Sequence, residues 1–134
     1  MPNRDLVLLG TSAGGINALR TVAAGLPPDL PTCVLVVMHL ASQSKSHLDA
    51  IITQAGPFSA SFAAEGDPIR KGHIYIAPPE RHLLLRLDGK SLSLGSGPRE
   101  NNARPAIDPL FRSVAAANAH RAIGVMSFHR NNAP

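Results

Sequence analysis

The chain has 134 residues, 44% hydrophobic but only 4% aromatic, with no tryptophan, which gives one domain with an aliphatic core and excludes intrinsic disorder. The net charge of +4 is scattered, with no Lys/Arg block interleaved with aromatics, so no nucleic acid is expected as a partner. The single cysteine, Cys33, excludes an intrachain disulfide, and residues 1–5 lead into only four apolar residues, too few for a signal peptide or a membrane span. The expectation is a cytoplasmic protein with no direct membrane insertion.

Residues 6–9 (Leu-Val-Leu-Leu) form a continuous apolar run, the pattern of a strand buried on both faces of a parallel sheet. Next comes Gly10-Thr11-Ser12-Ala13-Gly14-Gly15, a glycine-rich turn with a serine at its apex. Apolar residues at 16, 19, 22, 23 and 26 predict a helix, stopped by Pro27 and Pro28. The valine-rich run 33–38 predicts a second strand, with Cys33 as a small buried hydrophobe, and it ends at His39. Strand, helix, strand makes a βαβ unit, whose two strands are parallel and whose crossover is right-handed.

A second helix is expected over 42–55, capped by Ser44 or Ser46, with Leu48, Ile51 and Ile52 as its buried stripe. Residues 59–64 form a third strand, 67–73 a turn-rich connection holding Asp67, and 74–77 a further strand broken by Pro78-Pro79. Asp88-Gly89 between 83–87 and 91–94 marks an antiparallel hairpin. Residues 105–117 form a third helix, with Pro105 in its first turn and Ile107, Leu110, Phe111, Val114 and Ala115 on its apolar face. Residues 122–126 form a last buried strand. The fold class is therefore α/β, doubly wound. Its mainly parallel sheet carries helices on both faces and an antiparallel hairpin insert, and it is expected to be incomplete at the C-terminus.

Gly10-Thr11-Ser12-Ala13-Gly14 fits G-x-S-x-G, the strained turn that exposes a serine nucleophile beside backbone N–H groups able to hold an oxyanion. Two other readings stand beside it: a glycine turn needed only for close helix–strand packing, and a phosphate site at a helix N-terminus. Parallel pairing sends Ser12 and His39 to the same edge of the sheet, where α/β folds bind ligands. That makes His39 the candidate general base. His47, His73, His82, His120 and His129 have no metal-ligand spacing, and neither metal nor cofactor is expected. A triad also needs a carboxylate, by the same logic after a later parallel strand, and no Asp or Glu follows Asp108. The serine–histidine order with no acid between departs from ordinary α/β-hydrolases, and the glycine spacing departs from the dinucleotide fingerprint.

Several segments together resemble one family. They are Gly10-Thr11-Ser12-Ala13-Gly14-Gly15, Val37-Met38-His39, Gly66-Asp67, Gly72-His73-Ile74-Tyr75-Ile76-Ala77-Pro78 with His82, Arg104-Pro105-Ala106-Ile107-Asp108-Pro109-Leu110-Phe111, and Ile123-Gly124-Val125. In that order they resemble the catalytic domain of the chemotaxis protein-glutamate methylesterases (CheB). The resemblance implies hydrolysis of glutamate methyl esters, often with glutamine deamidation, on the helices of methyl-accepting chemotaxis receptors. It implies Ser12 as nucleophile, His39 as base, backbone N–H groups near Ala13 for the oxyanion, and no cofactor. It covers residues 1–126 as a partial catalytic domain and leaves 127–134 as a non-matching tail. Three departures stand out: Ala13 where many members have threonine, no receiver domain, and no loop carrying the third triad residue. A truncated chain, a frameshifted gene or a misplaced gene end each accounts for the last. The alternative is a module that binds receptors or signalling proteins without turnover.

Overall fold

The computed structural model describes residues 6–11, 16–38, 47–79, 81–95, 107–118 and 122–128. Their order is β1 (Leu6–Thr11), α1 (Ile16–Gly25), β2 (Cys33–Met38), α2 (Leu48–Ala55), β3 (Ser59–Phe62), β4 (His73–Ile76), β5 (His82–Leu85), β6 (Leu92–Gly95), α3 (Ile107–Asn118) and β7 (Ala122–Phe128). Five strands form one sheet in the order β3-β4-β2-β1-β7, and every described pairing in it is parallel.

The centre of the sheet follows from the two-residue period of a strand. In β2 all six side chains are buried. Cys33, Leu35 and Val37 point to one face with Leu6, Leu8 and Tyr75, and there they meet Leu83, Leu85 and Leu92 of the hairpin and Leu110 and Val114 of α3. Val34, Val36 and Met38 point to the other, against Leu19 and Ala23 of α1 and Leu48 and Ile52 of α2. An unbroken apolar run is thus two half-cores, and a polar residue anywhere along it would be stranded on one of them. Helices lie on both faces, as a doubly wound sheet requires, and Cys33 is the buried apolar residue its neighbours imply.

β5 and β6 pair antiparallel, and the turn between them is closed by Asp88-Gly89. Gly89 adopts φ +71°, its N–H reaches the Arg86 carbonyl at 2.8 Å, and Asp88 Oδ1 accepts from the Lys90 N–H. A side chain at Gly89 would strain that conformation. The connection from β3 to β4 runs beside β6. The Gly66 N–H donates to the Leu92 carbonyl, the Leu92 N–H to the Asp67 carbonyl, and the Ile69 N–H to the Lys90 carbonyl. Glu65 adds a clamp, Oε1 accepting from the Leu94 N–H at 2.8 Å and Oε2 pairing with Arg86. Those partners, the backbone bond first, pull the Glu65 carboxyl below its ordinary value.

Several boundaries differ from the sequence expectation. The described part of the second helix begins at Leu48, and its N-cap is His47, which makes no side-chain capping bond. The expected caps, Ser44 and Ser46, lie outside the described residues. β3 ends at Phe62 because the chain turns at Gly66, where Asp67 Oδ2 accepts from the Ala64 N–H at 2.8 Å. β7 runs on to Phe128, two residues past the expected end, following β1 to Thr11.

Candidate active site at the carboxyl edge of the sheet

β1 lies where the winding of the sheet changes direction. β2 pairs with it on one side and β7 on the other, while α1 and α3 pack on opposite faces. Crevices for ligands open outside the carboxyl ends of strands at such a point. Three strand ends meet there: Thr11 is opposite Met38 in one register and opposite Phe128 in the other.

The residue after Thr11 is Ser12, and the residue after Met38 is His39. Both predicted site residues lie outside the described residues. Their supports are described. The Met38 side chain is fully buried against the α1–α2 face, which fixes where β2 ends. Only residues 12–15 separate the end of β1 from the first turn of α1. A described strand and a described helix thus flank the G-x-S-x-G segment, whose residues 12–14 lie outside the described residues.

The CheB methylesterase family model matches residues 7–127. The chain belongs to the CheB methylesterase family. A relative in Anaeromyxobacter dehalogenans, a protein-glutamate methylesterase/protein-glutamine glutaminase, is 37% identical over 123 residues, which is 91% of this chain and 35% of its own length. One of the same name in Rhodospirillum rubrum is 38% identical over 128 residues, covering 91% of this chain and 33% of its own. A Leptospira interrogans relative is 34% identical over 124 residues, with 92% of this chain and 64% of its own length matched. The chain therefore spans less than two thirds of these relatives. The crystal structure of the Thermotoga maritima CheB methylesterase catalytic domain superposes with a TM-score of 0.85 at 27% identity, over 94% of this chain and 67% of that one. The mainly parallel sheet with helices on both faces is thus the fold of that CheB catalytic domain, and in this chain the β5–β6 hairpin accompanies it.

A second polar cluster lies on the hairpin-bearing face, toward the amino end of β4. Ser61 of β3 is opposite Tyr75 of β4 in the register, which leaves His73 on the diagonal. Ser61 Oγ stands 2.7 Å from His73 Nε2, and the His73 and Tyr75 rings are 4.6 Å apart. The Tyr75 hydroxyl donates to the Pro68 carbonyl and accepts from the Arg70 N–H. Burial, then the Arg70 charge, lowers the His73 imidazole from its ordinary 6.5, with Asp67 opposing; burial raises the Tyr75 phenol. Sequence spacing gave no sign of this pair. Twelve residues separate its members, and only the parallel register of β3 on β4 joins them. Among the described residues no group of three or more His, Cys, Asp or Glu converges as a metal site would, and no helix is long and apolar enough to cross a membrane.

Proposed function

We propose that this chain is a protein-glutamate methylesterase acting in the cytoplasm on methyl-accepting chemotaxis receptor helices, with glutamine deamidation as a companion reaction. Ser12 Oγ attacks the ester carbonyl and passes its proton to His39. Methanol leaves, and water, activated by the same imidazole, releases glutamate from the acyl-serine. Backbone N–H groups at the start of α1, near Ala13, hold the oxyanion. Serine, imidazole, water and backbone account for every step, so no cofactor is needed.

The observation that carries this reading is the pairing of Thr11 with Met38 in a chain of this family. Adjacent parallel strands stand about 4.8 Å apart, so the described ends of β1 and β2, at Thr11 and Met38, are neighbours. Residues 1–134 hold no Asp or Glu after Asp108. In this stretch a Ser–His pair carries the chemistry without an orienting carboxylate. Removing that carboxylate from a triad lowers turnover by about four orders of magnitude.

The test is methanol release from receptor helices bearing glutamate methyl esters, followed for the chain and for its Ser12→Ala and His39→Ala variants. Slow release that both substitutions abolish supports the proposal. Release that survives Ser12→Ala overturns it. Receptor binding with no release by any form instead identifies the non-catalytic binding module.

A further inference from the structure

Ser61 and His73 form a second serine–histidine pair, separate from Ser12 and His39. The pair opens on a cavity of about 150 Å³ lined by Ser61, Asp67, Pro68, Arg70, His73 and Tyr75. That volume takes an acyl group up to roughly the size of benzene. The Tyr75 hydroxyl already uses its donor and one acceptor position on Pro68 and Arg70, and the Asp67 Oδ2 atom accepts from Ala64. The Ser61–His73 contact differs in that both partners are reactive groups.

We propose that Ser61 is an acylation site, activated by His73, for small activated acyl esters that enter this cavity. Ser61 Oγ attacks the acyl carbon and forms the new C–O bond. Its proton passes to His73 Nε2, the bond to the leaving phenol breaks to release it as the anion, and the imidazolium gives that proton to solvent. Water then attacks the acyl carbon as the neutral imidazole takes its proton, which passes to Ser61 Oγ as the free acid leaves.

The surroundings support both halves of the step. A hydroxyl that donates to Nε2 needs a neutral imidazole with its proton on Nδ1. Burial and Arg70 favour that neutral form. When the proton arrives, the Asp67 charge favours the imidazolium, as its effect on His73 already shows. Arg70 lines the cavity and its charge reaches His73, so it is a positive charge available to the developing oxyanion. Tyr75 stays neutral across the relevant range, because burial raises its phenol.

The experiment uses 4-nitrophenyl acetate on the Ser12→Ala chain, which removes the proposed main nucleophile. Acetylated peptides are quantified by mass spectrometry. The expected result is acetyl-Ser61, lost in Ser12→Ala/Ser61→Ala. Acetylation of Ser61 should be about a hundredfold slower in Ser12→Ala/His73→Gln, the scale of a general-base contribution. In the Ser12→Ala chain itself, the Ser61 rate should rise with pH and level off, with its midpoint below 6.5. That profile also decides the matter if the glutamine variant fails to fold. Acetyl groups confined to lysines and the amino terminus overturn the proposal. So does a Ser61 rate that neither His73→Gln nor pH alters as described.

Discussion

Thr53 closes the open edge of the sheet by gripping Ala60. Its Oγ1 accepts from the Ala60 N–H at 2.9 Å and donates to the Ala60 carbonyl at 3.2 Å. Among the described residues β3 is the last strand on that side, and an unpaired edge invites another chain to add to it. One hydroxyl from α2 occupies both backbone groups. Thr53→Val keeps the shape and removes the grip. It should cost about 1 kcal/mol in urea unfolding, because the freed groups can reach water. It should also raise concentration-dependent self-association, read by light scattering. An unchanged scattering profile would show that the edge is protected by other means.

Gly56 holds α2 against α1 by the absence of a side chain. A Cβ added there would fall on the backbone carbonyl of Ala23 and stand 3.1 Å from the Ala24 nitrogen. The residue has φ −154°, extended backbone open to any residue, so the constraint is space alone. Gly56→Ala must push backbone from backbone and should cost about 3 kcal/mol, at or above the top of the range for overpacked cores. Thermal unfolding of the two forms measures it. An equal midpoint would mean that the helices part freely at this point.

These two contacts mark where sequence reasoning stops. The run at 33–38 was legible because a strand buried on both faces has one composition, and the Asp88-Gly89 turn because few dipeptides suit it. The parallel pairing of β1 with β2 was legible from the strand–helix–strand order, and the Thr11–Met38 register agrees with it, while Ser12 and His39 themselves lie outside the described residues. The grip of Thr53 on Ala60, the close approach of Gly56 to Ala23 and the diagonal from Ser61 to His73 join different elements. Each depends on how one element is set against the next, to within a fraction of a turn or a single register step. Hydrophobic periodicity names the face of an element but not which atom of the neighbour it meets.

Ser113 ties α3 to the hairpin. Its Oγ accepts from the Leu85 N–H at 3.0 Å and donates to the Leu110 carbonyl one turn back. The site is partly buried, so the Leu85 N–H left by Ser113→Ala is poorly served by water. The expected loss is about 1–2 kcal/mol in urea unfolding. Ser113→Thr keeps the hydroxyl and should recover most of it. Amide exchange at Leu85 gives a local readout, faster in the alanine variant and restored in the threonine one. A loss of stability with Leu85 exchange unchanged would place the effect in the helix alone.

The stability of the domain should fall in mild acid, and His73 sets where the fall begins. Its imidazole is lowered from 6.5 in the folded state, by burial first and then by Arg70, against the opposing charge of Asp67. The folded chain therefore resists a proton that the unfolded chain accepts. As pH drops below 6.5 the unfolded state binds more protons, so unfolding becomes easier. The contribution of a neutral His73 is fully present above 6.5 and is lost progressively as pH falls toward the lowered value. Glu65 acts in a separate and more acid window. Its carboxyl is lowered from 4.5 by the Leu94 N–H and Arg86, so its contribution stands above 4.5 and goes as pH falls through the lowered value. Urea midpoints from pH 8 to pH 3 should show two descending steps. His73→Gln should remove the first and leave the second, and Glu65→Gln the reverse. A first step that survives His73→Gln would show that His73 does not set it.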